Sequence, residues 1–395
     1  MFHNLIFRAD FSRHKVAQAA WLAVLYVVGV LGWGQFLNWG QIPFDFHDWA
    51  EINAPRLTFL KDAVTRGVLP LHMPDKSALS TITDRYMAIP DVFLSPQAVL
   101  LRYMDVGVFV LVNLILVFSL GYVALLLLRR RMRLSLFTFT ILFLLFNFNG
   151  YITAHTSVGH VTWSGYFLFP WLALLVFDLL EHSTWTWGWV AKTSLLLFVI
   201  FLQGSFHHFV WWLAFLALLG VSNPSRLLPC VSAILGAVGV SMVRILPATL
   251  LLGQFNTEYH GGFFNLLALL RSAAVMYLPG QVFTPPVSPR PVGAWEFDIF
   301  VGLVGLAYLL YFGLWCNLKD VLTHAARPVL LLPLLGMAIL SMGDVYGWIS
   351  SLPIPFLTAE RVSARFIVIP LFFLILLASR QFQHSLDHSR LSPLA

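Results

Sequence analysis

The chain has 395 residues, 59% hydrophobic and 11% charged, with 35 Phe, 14 Trp and a formal net charge of +6. A soluble globule carries about twice that fraction of charge, and a mean hydropathy of +0.80 leaves too little polar surface to coat one, so the chain is expected to fold in lipid. Its cations form no basic run interleaved with aromatic residues on a soluble face, which excludes a nucleic-acid partner and fits the anchoring of helix ends instead.

The stretch from Val16 to Phe36 is too long for the core of a signal peptide and runs into Asn38, Trp39 and Gly40 rather than a cleavage site, so it reads as a retained first helix. Arg8, Arg13 and Lys15 ahead of it put the N-terminus in the cytoplasm. Stretches close to the roughly 20 apolar residues that cross a bilayer then recur along the chain. They are expected near 16–37, 106–128, 134–150, 163–180, 188–203, 206–221, 228–252, 299–316, 328–348 and 366–380. The fold class is therefore an all-α polytopic transmembrane helical bundle of about ten spans, with residues 1–395 as a single transmembrane domain. The fifth and sixth spans are short and joined only by "QGSFHH", which permits a re-entrant hairpin. The run "RRRMR" at 129–133 is prohibitively costly to translocate and fixes the cytoplasmic side. Alternation from it places Lys192, Arg226, Lys319, Arg327, Arg380 and Arg390 on that side too, with both termini inside. Cys230 and Cys316 fall far apart at expected cytoplasmic helix ends, which argues against a disulfide framework or a thiolate metal site.

Counted this way, the outer face receives a first loop over 38–105, a second over 253–298 and shorter ones over 151–162 and 349–365, whereas the cytoplasmic connections are short. Long loops gathered on one face point to where the chemistry or the partner is. In the first, "EINAPRLTFLKDAVTRGVLPL" sets Ile52, Leu57, Leu60, Val64 and Val68 at helical spacing, with Gly67 and Pro70 as the stop, which predicts an amphipathic helix on the membrane surface. Asp48 precedes it, and one reading is an N-cap. The other reading joins Asp48 to Asp45, His47 and Glu51 as a carboxylate-rich patch at the boundary of water and lipid, able to take a proton or hold a divalent cation.

Three further outer stretches carry chemistry. In "HTSVGHVTW", His155 and His160 reach the mouth of two spans, as interfacial anchors or as hydrogen-bond partners of a sugar or an anion. "GAWEFDIFVG" brings Glu296 and Asp298 to a span entrance, where an isolated carboxylate is costly unless paired or functional. "TAERVSARF" sets Arg361 and Arg365 four apart, which on a helix puts both on one face, as a fork for phosphate oxygens or those carboxylates, or as anchors among lipid phosphates.

Taken in order, "HDWAEINAPRLTFLKDAVTRGVLPL", "GHVTWSGYFLFPWLAL", "FLQGSFHHFVWWLAFLALLG", "RILPATLLLGQF", "WEFDIFVGLVGL" and "FLTAERVSARFIVIPLFFLILLAS" resemble the GT-C superfamily of polytopic membrane glycosyltransferases, and within it the bacterial YfhO-like branch. The resemblance covers most of the chain and lies in the order and placement of these stretches rather than in any one signature. It implies a bacterial inner-membrane enzyme, embedded among membrane lipids, that moves a sugar from a polyprenyl-phosphate donor to an acceptor on the outer face with inversion. By the same resemblance Asp48 is the general base, Arg361 and Arg365 stabilise the departing phosphate, and Glu51, His160 and Glu296 contact substrate. A divalent cation stays open, with Asp45, Asp48 and Glu296 as its candidate ligands, although the first loop has no tight Asp-X-Asp pair. Two other function classes also stay open. One is a non-catalytic accessory or structural subunit of a larger membrane complex built on such a scaffold. The other is a lipid or ion transporter, for which Asp178 and Arg244 are the main charges inside expected spans, and for which no inverted repeat is evident.

Overall fold

Backbone polar groups in hydrocarbon have no water to bond, so an apolar run satisfies them internally as a helix. The computed structural model describes residues 7, 11, 14–71, 91–182, 184–250, 259–278, 280–283, 291–324, 329–351 and 360–388. In chain order the helices are α1 (Lys15–Phe36), α2 (Ala54–Arg66), α3 (Val106–Arg131), α4 (Leu136–Asn147), α5 (Gly150–Ser157), α6 (Phe169–Glu181), α7 (Trp187–Leu202) and α8 (Phe206–Ser222). They continue as α9 (Leu227–Thr249), α10 (Leu266–Ala274), α11 (Gly302–Tyr308), α12 (Cys316–His324), α13 (Leu331–Leu340), α14 (Gly343–Ser350) and α15 (Val368–His388). A short antiparallel ribbon pairs β1 (Val282–Phe283) with β2 (Val292–Gly293). Of the cations used above to orient the chain, Arg8, Arg13, Arg327 and Arg390 lie outside the described residues, as do 72–90, 253–258, 279, 284–290 and 352–359 of the expected loops.

The chain is an all-α membrane protein. Among the described residues seven helical stretches are long and apolar enough to cross a bilayer, at Lys15–Phe36, Val106–Arg131, Leu136–Ser157, Val161–Glu181, Pro224–Thr249, Gly302–Thr323 and Ser363–His388. The shorter apolar helices α7, α8 and α13 fall where the remaining spans were expected. With 10 residues, α13 reaches only roughly 15 Å, half of a hydrocarbon core of about 30 Å. The expected span over 328–348 is in fact broken after it. There the Gly262–Phe263 backbone inserts, with the Phe263 N–H bonded to the Ser341 carbonyl (3.0 Å) and the Gly343 N–H to the Phe263 carbonyl (2.9 Å). A break in a membrane helix is tolerated where protein satisfies the freed groups in this way.

Burial sorts the helices into centre and flank. In Ser363–His388, 89% of the apolar window is buried, against 11% in Gly302–Thr323, so the last helix is the pillar and the other lies against its outside. Helix α15 packs on α4, on α13 and on the π-helical turn Leu309–Trp315. The Arg129–Arg131 end of the bundle is closed by polar pairs: Arg129 donates to Gln18 (2.9 Å), and Arg131 binds Asp178 (2.5 Å) and Glu181 (2.7 Å). Asp178 is therefore a paired charge at a helix end. At the opposite end, α2 buries Leu57 and Leu60 and stops at Gly67, whose φ is 70°. Val68, expected in the same apolar stripe, lies beyond that stop and is exposed.

Close helix approach depends on glycine at Gly121, where an added Cβ would stand 2.1 Å from the Phe167 carbonyl oxygen. Gly121→Ala is expected to destabilise the protein by about 1–3 kcal/mol, seen as a lower unfolding temperature in detergent. Gly239→Ala, where nothing lies within 4 Å, is the control and leaves that temperature unchanged or slightly raised.

Candidate functional site

Between α1 and α2 the chain turns tightly. Asn38, Trp39, Phe44 and His47 hold left-handed φ values of 45°, 51°, 53° and 45°, although none is glycine. Each such residue costs roughly 1–2 kcal/mol, so neighbouring contacts must hold the turn in place. The Trp49 indole donates to the Ser157 carbonyl (3.1 Å), and the Asn53 amide bridges the carbonyls of Asp48 (2.8 Å) and Gly159 (2.5 Å). Gly159, with φ of 95°, permits this approach, since a Cβ there would lie 2.5 Å from the Trp49 nitrogen.

Asp48 is not a cap. Its side chain makes no hydrogen bond to the π-helical turn Trp49–Asn53 that follows. Its carboxylate lies between two imidazoles instead, with Oδ1 3.1 Å from His47 Nδ1 and Oδ2 3.1 Å from His160 Nε2. On its far side His160 Nδ1 is 2.7 Å from Nδ1 of the buried His155. One of two facing imidazole nitrogens must donate and the other accept. When neutral His160 carries its hydrogen on Nε2 toward Asp48, His155 is the donor.

Trp163 joins this couple to a second network. His155 stacks on the indole with ring centroids 3.7 Å apart, and the Arg365 guanidinium carbon lies 5.2 Å from the same ring. Arg365 donates through Nε and Nη2 to the two oxygens of Glu296, both at 2.6 Å, and through Nη1 to Glu360 Oε1 at 3.3 Å. The other oxygen of Glu360 meets His207 Nδ1 (2.9 Å) and accepts from the Trp211 indole (3.0 Å). Arg365, Glu296 and Glu360 are all buried. The segment that carries Glu360 and Arg365 is clipped in place by the chain at 260–263: the His260 N–H bonds the Arg361 carbonyl (2.7 Å) and the Ser363 N–H bonds the Gly261 carbonyl (3.0 Å). Trp295 beside Glu296 packs edge-on to His47 at 4.6 Å, so the two networks share a wall.

The electrostatics follow from these partners. Burial pushes the Asp48 carboxyl up, but the imidazoles of His160 and His47 outweigh it and hold the group well below the usual carboxylate range. The Asp48 carboxylate in turn raises His47. Burial likewise pushes up Glu296, where the Arg365 guanidinium reverses the shift and leaves it below its ordinary value. In Glu360 burial is again opposed, first by His207 and then by Arg365, and the carboxyl falls to about 2. Asp298 has no such cation, and burial pushes it up to about 6.

Of the residues singled out in the sequence, Asp48, His160, Glu296 and Arg365 come together. Asp45 and Glu51 are exposed and outside both networks, although Glu51 still acts on His47 through space. Arg361 is also exposed: it sits in a bend ahead of the 3-10 turn Ser363–Ile367, so its spacing of four from Arg365 gives no shared helix face. No phosphate fork forms from the pair. A divalent cation does not fit either, because Asp45 is exposed and apart from both networks, Asp48 lies between imidazoles and Glu296 is held by Arg365; among the described residues no group of three or more His, Cys, Asp or Glu is arranged to hold a metal ion. A cavity of about 170 Å³ adjoins the site and is lined by Phe36, Met276, Trp295 and Asp298 among others, but not by Asp48, Glu296 or Arg361. Trp163, His207 and Glu360 were not singled out in the sequence. The available signal was titratable residues set in apolar surroundings, "QGSFHHFVWW" and "TAERV", where such groups are costly unless they are paired. No family model, no curated protein and no solved structure matches the chain.

Removing Arg365 strands two buried carboxylates. Arg365→Met is therefore expected to destabilise the protein by about 3–5 kcal/mol, measured as chemical or thermal unfolding in detergent. The acid response has a definite sign. The folded pKa of Glu360 is depressed, so its contribution is present above its ordinary value of 4.5 and is lost as pH falls toward about 2. The unfolding temperature of wild type is expected to drop across that window, and that of Glu360→Gln to drop less.

Proposed function

We propose that the chain is a GT-C-like glycosyltransferase of the YfhO-like branch, lying in a bacterial inner membrane with about ten spans and both termini in the cytoplasm. Its substrate is a sugar carried on polyprenyl phosphate, delivered to an acceptor hydroxyl on the outer face. The observation that carries this reading is Asp48: a carboxylate kept ionised between two imidazoles, at the bundle end opposite Arg129–Arg131. Its side chain is 20% exposed; the two imidazoles hold its basicity down while they face it, so it takes the acceptor proton as one of them turns away.

In this mechanism the acceptor oxygen attacks the anomeric carbon as its proton passes to Asp48. The bond from that carbon to the phosphate oxygen breaks, and its electron pair leaves with the lipid phosphate. His160 orients Asp48, with His155 fixing the His160 tautomer from behind. Glu296 meets the acceptor, and Arg365 positions Glu296 rather than binding phosphate. Arg361, facing solvent at the rim, contacts lipid or donor headgroups.

The test uses purified protein in proteoliposomes, a panel of radiolabelled polyprenyl-phosphate hexoses and a bacterial membrane extract as acceptor. Asp48→Asn keeps the shape of the side chain and removes its basicity, so release of polyprenyl phosphate should fall about 10²- to 10⁴-fold with insertion and unfolding temperature unchanged. Full turnover by Asp48→Asn defeats the assignment of the base. Absence of turnover with every donor, together with co-purification at fixed stoichiometry in a larger assembly, transfers the case to the accessory-subunit reading, and flux without any donor to the transporter.

A further inference from the structure

The site contains a second carboxylate–imidazole couple that the reaction above does not use. The Oε2 atom of Glu360 lies 2.9 Å from His207 Nδ1 and accepts from the Trp211 indole, and its Oε1 accepts from the Val362 N–H and from Arg365, both at 3.3 Å. Glu360 is buried, with its side chain 6% exposed, whereas that of His207 is 33% exposed. A carboxylate engaged on Nδ1 fixes the imidazole tautomer and orientation and leaves Nε2 as the free position. The ring is held on three sides by Trp163 (6.0 Å), Trp211 (5.7 Å) and Phe206 (5.6 Å). Its backbone is fixed as well. Gly204, with φ of 79°, lies against Asp91, and Ser205 ahead of it bonds the Thr162 carbonyl and accepts from the Gly165 N–H. Among the described residues, Arg365 and Glu360 from the segment before α15, His155 from α5 and His208 from its own helix are the other charged or titratable groups around it.

Glycosyl transfer from a lipid phosphate needs a cation or acid where charge develops on the departing oxygen. Arg365 already holds two carboxylates, and Arg361 is exposed, apart from either network. We propose that His207, oriented by Glu360, is the group that meets the phosphate of the lipid-linked donor and donates its Nε2 hydrogen to the leaving oxygen. This rests on the glycosyl-transfer reading. His207 and His160 both pack on Trp163, so the acid and the imidazole that orients the base share one aromatic plate. The protons balance: the acceptor proton ends on Asp48, the imidazolium proton ends on the phosphate, and return of one proton from Asp48 to His207 through water restores the resting state.

The test is binding, measured by calorimetry on the full chain in lipid nanodiscs, with farnesyl phosphate and inorganic phosphate as separate probes and empty nanodiscs as the blank. All titrations are run at one fixed pH. Farnesyl phosphate should bind more tightly than inorganic phosphate. His207→Asn places an amide where Nδ1 was, keeps the bond to Glu360 and lacks Nε2; it should fold normally and bind farnesyl phosphate about 10- to 100-fold more weakly. His207→Gln offers a neutral N–H near the Nε2 position and should bind at an intermediate level. Asp48→Asn should bind as tightly as wild type. Wild-type binding by His207→Asn, or equal affinity for the two probes, overturns the proposal. Loss of binding in His207→Asn without sugar transfer from any donor would leave the phosphate site standing and sink the glycosyltransferase reading instead.

Discussion

Arg365 is a buried guanidinium, and the end of the bundle around it is built to keep it there. Removing such an ion from water costs several kcal/mol, so it is retained only where fixed partners replace the water. Glu296 supplies a bidentate pair from the chain ahead of α11, Glu360 a third contact from the segment ahead of α15, and Trp163 a π-face at the entrance to α6. Two carboxylates on one guanidinium leave an excess negative charge. His207, from the first turn of α8, is the titratable group that meets it. Helix entrances far apart in the chain are thus tied to one ion, and once it is placed the loops have little freedom to be elsewhere.

The fold was legible because lipid leaves the chain few choices. Apolar runs near bilayer length became helices where they were expected, and Gly67 ended α2 as its left-handed φ requires. What was not legible depended on contacts between distant segments. The break between α13 and α14 is made by backbone from residues 262 and 263, which no local pattern at 341 reveals. The same limit governed the site. Asp48, His160, Glu296 and Arg365 stood out as costly groups near helix ends, but a spacing of four suggested that Arg361 and Arg365 act together, and the backbone does not become helical until Ser363. Glu360 was present in the same stretch and pairs with Arg365 alongside Glu296. Periodicity ranks faces of a helix; it carries no information where the helix has not begun.

Trp163 gives the site its order. Its indole lies against His155 on one network and Arg365 on the other, and His160, His207 and His208 all pack within 6.0 Å of it. A large aromatic surface excludes water from between charged groups, which strengthens the remaining electrostatic contacts. It also limits motion, because an imidazole stacked on a buried indole has few rotamers open to it. Asp48 and Glu296 keep their geometry for this reason even though the first of them stands in a turn with several left-handed residues.

The placement of charge through the rest of the bundle bears on which class of function the scaffold suits. A carrier needs charges that exchange partners as its two faces open in turn. Among the described residues two groups of charges sit in short, fixed pairs at opposite ends: Arg131 with Asp178 and Glu181 at one, and Arg365 with Glu296 and Glu360 at the other. Arg244 and Asp91 are both buried and face each other at 3.6 Å, with the Arg244 guanidinium also over the Phe93 ring. The pillar Ser363–His388 between the two ends is buried through nearly all of its apolar part, up to Ser379. Opening a path past it would separate several pairs at once, each costly to break when buried, whereas chemistry at the Asp48 end requires only that end to admit substrate.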